Sequence, residues 1–125
     1  MRRTGPDTKT CQALWDRADG CCEVCGKPIR GYDFSRQHRR ARGMGGTRQG
    51  DANSLANLLL CCGSSTSPDG CHAEIEAHPA WAAGRGFRVG SWEDPAEVSV
   101  VVYGYGRVRL SADGGYVPVG QDGAA

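Results

Sequence analysis

No apolar run in these 125 residues approaches the length a membrane demands. The longest, around residues 58–62 and 98–103, fall far short of the roughly 20 apolar residues of a spanning helix, which excludes one. An apolar segment is also missing behind Arg2 and Arg3, where Thr4, Gly5, Pro6 and Asp7 stand instead. The expectation is a chain that carries no export signal and works in the cytoplasm. Aromatic side chains are scarce, 7% of the sequence, so Trp15, Trp81, Phe87 and Trp92 are expected to anchor the core rather than to face a ligand. Histidines number only three, and two of them, His38 and His72, fall inside patterned segments. Acidic residues total 14, yet none lies between Asp33 and Asp51, a stretch that holds Arg36, Arg39, Arg40, Arg42 and Arg48. The net charge of +1 therefore conceals a concentrated cationic segment suited to gripping phosphates.

Glycine, with 19 residues, and cysteine, with 7, are the residues in excess. A chain of this length buries roughly two-thirds of its surface and supports one core, so one loop-rich domain is expected. Without an export signal, thiols stay reduced and clustered cysteines read as metal ligands before they read as disulfides. Cys22 and Cys25 form a Cys-x-x-Cys knuckle closed by Gly26. Cys62 and Cys71, separated by eight residues rich in Gly, Ser and Pro, supply a second half-site, and together the four predict a tetrahedral structural zinc. Cys21 and Cys61 could each replace the adjacent ligand, though spacing favours Cys22; Cys11 reads as core.

Along the chain, residues 1–8 read as a flexible arm and residues 9–19 as an amphipathic helix stopped at Gly20. Residues 21–28 are turn-rich, 32–40 form a strand, and the glycines of 41–52 make a loop. Residues 58–62 form a second strand pairing back on the first. Asp69 is placed to cap a helix over 70–78, which Pro79 ends or kinks. Val98, Val100 and Val102 alternate, and residues 107–110 and 116–119 flank Asp113-Gly114-Gly115, a hairpin signal; residues 121–125 form a tail. If the strands pair and the helix packs across them, His38, Asn57 and His72 converge on one small cavity beside the thiolate clamp.

Cys22 and Cys25, then the run from Ser35 through His38 to Gly46, then Asn57 with the apolar run behind it, then Cys62 and the Cys71-His72 pair, occur in the order of a known family. Over residues 22–81 the chain resembles the HNH, or ββα-metal, nucleases, and in particular the small HNH endonucleases of tailed bacteriophages. The resemblance implies an α+β fold: a zinc-stabilised ββα-metal (His-Me finger) domain over residues 9–92 with an N-terminal helix, and a β-hairpin appendage over 93–125. It implies a metal-dependent DNA endonuclease in which His38 is the general base, Asn57 orients that imidazole or the metal loop, and His72 binds a catalytic divalent ion, Mg2+ or Mn2+. Double-stranded DNA is the implied partner, with phage terminase and portal as further ones, in the cytoplasm of a host cell.

Imidazole titrates near neutrality and suits the base, a cation suits the charge developing on phosphate and leaving oxygen, and the arginines suit the backbone. One position departs from the family. The residue before the base is ordinarily an Asp or His ligand and here is Gln37, which brings an oxygen but no charge. Glu76, four residues after His72 and so on the same helix face, is the second ligand by geometry, a position His78 does not share. The alternative reading is a zinc-stabilised DNA-binding module with weak or lost nuclease activity. A third, a zinc-ribbon scaffold for protein partners, is disfavoured by the arginine run.

Overall fold

The computed structural model describes residues 5–41 and 52–119. Arg42, Arg48, the glycine-rich loop around them, the first four residues of the arm and the expected tail lie outside the described residues. No helix among the described residues is long and apolar enough to cross a membrane.

Helix α1 (Thr8–Ala18) begins at Asp7, whose carboxylate accepts from the Thr10 amide at 2.8 Å. It ends where Asp19 adopts φ 56° and Gly20 φ 68°. Strand β1 (Phe34–His38) pairs antiparallel with β2 (Leu58–Cys62), with Phe34 opposite Cys62 and His38 opposite Leu58. The expected two-strand unit is therefore present. Every residue of β2 is buried, because the strand is covered on both faces. Leu58, Leu60 and Cys62 pack with Leu14 of α1, Cys22 and Ile29. Leu59 and Cys61 point the other way, into a cluster with Ala56, Ile75, Ala82 and Phe87.

Helix α2 (Cys71–Ala77) crosses β2 and continues, after a break at His78, into α3 (Pro79–Gly84). Pro79 opens α3, a position where its missing N–H costs nothing. The expected Asp69 cap is corrected: the cap residue is Gly70 at φ 104°, with no side-chain cap bond. The reason is steric. A Cβ on Gly70 would lie 3.1 Å from the Cys62 carbonyl oxygen, and one on Gly63 would lie 2.8 Å from that of Asp69. Only a glycine lets the chain pass close enough to bring Cys71 beside Cys62.

The expected hairpin exists as β4 (Gly106–Leu110) and β5 (Tyr116–Pro118), and β3 (Val100–Val102) adds a third antiparallel strand in the order β3-β4-β5. Val100, Val102, Val108 and Leu110 belong to the same apolar cluster as Leu59, Cys61 and Ile75, so this sheet closes the core over the outer face of β2. A buried ion pair binds the two ends of the chain together. Arg17 donates to both oxygens of Glu23 at 2.8 and 2.9 Å and to the Leu55 and Leu58 carbonyls, while Tyr116 of β5 donates to Glu23 Oε2 at 2.6 Å.

Of the four expected aromatic anchors, Phe87 is buried and Trp15 packs edge-to-face on Phe34. Trp81, 38% exposed, packs edge-to-face on Phe87. Trp92 is the correction, standing 85% exposed on a short turn. Cys11 is likewise only half-buried, near the Pro6 carbonyl rather than in either apolar cluster.

Candidate metal clamp and active-site cavity

Cys22, Cys25, Cys62 and Cys71 bring their sulfurs within 4.8 Å of one another, and they are the one such group of three or more His, Cys, Asp or Glu among the described residues. The Cys25–Cys62 separation of 3.8 Å matches the edge, about 3.8 Å, of a tetrahedron with Zn–S bonds of about 2.3 Å. Backbone amides already point at the sulfurs: Val24 and Cys25 donate to Cys22 Sγ at 3.4 and 3.5 Å, and Cys71 donates to Cys62 Sγ at 3.3 Å. Those donors stabilise thiolate charge, so the cluster could hold a metal ion such as zinc. The Cys71 thiol, followed by the surrounding amides, pulls Cys22 down to about 5 from the usual 9.0, and Cys71 is raised in return. Cys61 is excluded from the cluster; it is buried among apolar side chains, and burial pushes its thiol up. Cys21 lies near the Asp19 carbonyl instead.

Beside the clamp lies a cavity of about 550 Å³ lined by Gln37, His38, His72 and Glu76, with Arg36, Arg88 and Trp92 among the other walls. It runs along β1, whose outer edge no strand among the described residues covers, and four consecutive residues, Arg36 to Arg39, all line it. His72 and Glu76 occupy one face of α2 and reach the same space. Ser35 Oγ lies 2.9 Å from His72 Nδ1, the contact that orients a ligand imidazole when Nδ1–H is the donor. Gln37 Nε2 donates to Glu76 Oε2 at 3.3 Å, whereas Gln37 Oε1 is buried and has no hydrogen-bond partner among the described residues. His38 Nε2 lies 2.8 Å from Asn53 Oδ1. His78 stays outside, 3.5 Å from Glu74 on the exposed face of α2.

Asn57 is not among the cavity walls. Fully buried, its Oδ1 accepts from the Arg40 amide at 2.8 Å, and its Nδ2 donates to the carbonyls of Arg40 and Ala52 at 3.2 and 2.9 Å. It fastens together the two chain ends that flank the loop between β1 and β2, while Asn53 contacts the imidazole. Two arginines assigned to phosphates are corrected as well. Arg39, 2% exposed, donates to the carbonyls of Gly86, Ala56, Pro95 and Val98, and burial brings its guanidinium down to about 10. Arg40, 3% exposed, donates to the Glu93 carbonyl. Both stitch the core to the segment around residues 86–98. Arg36 alone of the described candidates is exposed, stacked over Phe34 at the cavity's edge.

The chain matches no protein-family model, no curated protein and no solved structure. What stands on this chain's own coordinates is an α+β fold with a four-cysteine clamp and an adjoining polar cavity.

The partners that spacing did not reveal are Ser35, Asn53, Arg88 and Trp92. A register signal existed for the first. Ser35 and Gln37 sit opposite Cys61 and Leu59, whose side chains face α2, so the alternation of β1 already sends both toward His72 and Glu76.

Proposed function

We propose that the chain is a metal-dependent DNA endonuclease of the ββα-metal, or HNH, class, with β1, β2 and α2 as the ββα unit and a structural zinc in the cysteine clamp. The observation that carries this reading is one cavity holding His38, His72 and Glu76 together with an unsatisfied, buried amide oxygen on Gln37. A buried acceptor left unpaired costs about 1–3 kcal/mol, and a hard divalent cation is a partner that amide and carboxylate oxygens accept. His72, Gln37 Oε1 and the Glu76 carboxylate would hold it. Mg2+ or Mn2+ bound there supplies positive charge for the phosphate and for the departing oxygen.

The remaining work belongs to the chain. A carboxamide oxygen only accepts, so Asn53 Oδ1 takes the Nε2–H of neutral His38 and holds the ring in place. His38 then takes a proton from the water that attacks phosphorus. The P–O3′ bond breaks and the departing oxygen takes a proton from solvent, leaving a 5′-phosphate and a 3′-hydroxyl. Arg36 and Arg88 at the walls attract the backbone without reading bases. The phage setting, with terminase and portal as partners, rests on the sequence resemblance alone.

A second reading, a zinc-stabilised DNA-binding module, is favoured by one feature: Gln37 gives the cavity no charge and spends its amide group on Glu76. Supercoiled plasmid separates the two. Relaxation that appears only when Mg2+ or Mn2+ is added to the zinc-loaded protein supports the nuclease, whereas normal plasmid binding without relaxation in either metal supports the module.

A further inference from the structure

Trp92 is the most exposed large apolar side chain among the described residues, and it stands at the wall of the proposed active site. Leaving an indole in water forfeits its burial, and the chain holds it there on a braced turn. Gly90 N donates to Glu93 Oε1 at 2.8 Å, Glu93 N donates to the Gly90 carbonyl at 3.0 Å, and Arg40 ties the Glu93 carbonyl from below. The ring lies over Gly90, where a Cβ would approach it to 2.8 Å, so a side chain there would displace it. Trp92 also divides two spaces. On one side is the polar cavity with His38 and His72; on the other is a second, more apolar cavity of about 570 Å³ along α3, bordered by Ala80, Ala83, Val89 and Val98. Arg88 borders both.

We infer that Trp92 is a stacking platform for an unpaired nucleobase next to the phosphate being cut, and that the substrate is therefore a nucleic-acid strand with at least one base out of the helical stack. This rests on the nuclease reading. A phosphate drawn to the cavity by Arg36 and Arg88 brings its neighbouring base alongside the indole. The more apolar cavity that Trp92 also borders offers that base an apolar wall, which a base still paired in continuous duplex has no means to reach. Stacking of this kind is tolerant of sequence.

Anisotropy of a labelled 12-nucleotide single strand and of the matching duplex, both without added Mg2+ or Mn2+ so that nothing is cut and the clamp keeps its zinc, tests the inference on wild type, Trp92→Ala and Trp92→Phe. The single strand should lose about tenfold in affinity with alanine and recover most of it with phenylalanine, while duplex affinity changes less than twofold. Equal losses on both ligands, or no loss on either, overturn the inference. If the wild type relaxes plasmid in Mg2+ and the single-strand-to-duplex ratio of Trp92→Ala is unchanged, the stacking role fails and the nuclease survives. If the wild type binds neither ligand, both fall.

Discussion

Gln37 is the side chain that most affects the proposed chemistry. Its Nε2 is engaged with Glu76 and its Oε1 has no partner among the described residues. Gln37→Asp replaces that neutral oxygen with a charged ligand, so plasmid relaxation should rise and the Mg2+ concentration for half-maximal rate should fall; an unchanged or lower rate contradicts metal ligation at this position. Glu23 poses a stability question of the same kind. With Arg17 and Glu23 side chains each only 1% exposed, Glu23→Gln leaves a buried guanidinium without its counter-charge. A loss of about 3–5 kcal/mol in urea unfolding is expected, and one below about 1 kcal/mol contradicts the network's role. At this scale the sequence was legible where spacing decides, as with Cys22 over Cys21. It was not legible for Arg39 and Arg40. A run of arginines without counter-charge looks like a phosphate track, and only the fold reveals that backbone carbonyls take up the charge of Arg39 and share that of Arg40.

Among the elements, β1, β2 and α2 meet at the clamp, which joins the turn before β1 to the end of β2 and the first residue of α2. Structural zinc in small domains supplies folding free energy on the order of 10 kcal/mol. Cys25→Ser, although at an exposed residue, should therefore abolish metal binding and cooperative unfolding together; a folded, metal-free variant at neutral pH removes the clamp from the account of stability. The pH dependence has a definite sign. Cys22 is a thiol whose folded value, about 5, lies below its ordinary 9.0. Its contribution is fully present above about 9 and is lost as pH falls through about 5. Metal release to a chromogenic chelator should climb across that acid limb while the thermal midpoint drops; a flat profile between pH 8 and 5 contradicts it. Helix α1 was readable from helical spacing and β1 and β3 from alternation, whereas α3 was not expected beyond Pro79. The cap of α2 was not readable either, because the close passage of Gly70 against the Cys62 carbonyl is a tertiary demand that favours no local capping residue.

For the molecule as a whole, the C-terminal sheet does not behave as an ornament. Val100, Val102, Val108 and Leu110 are each at most 2% exposed in the cluster that also holds Ile75 of α2. At about 1.5–3 kcal/mol apiece they rival the entire stability of a small domain, about 5–15 kcal/mol. A chain truncated after residue 92 should fail to unfold cooperatively even with zinc supplied; a folded fragment with its four thiols metal-bound contradicts the shared core. Alternation revealed the strands themselves, but which core they enter is a long-range matter: the contact of Tyr116 with Glu23 spans 93 residues. The cavity that this packing shapes is the proposed seat of hydrolysis, and His38 is its proposed base. Relaxation of supercoiled plasmid by wild type and by His38→Ala in Mg2+, with zinc content and thermal midpoint measured on the same preparations, bears on it most directly. The rate should fall at least a hundredfold in a variant that keeps its zinc and its midpoint; equal rates in the two proteins would show that cutting, if present, does not depend on this imidazole.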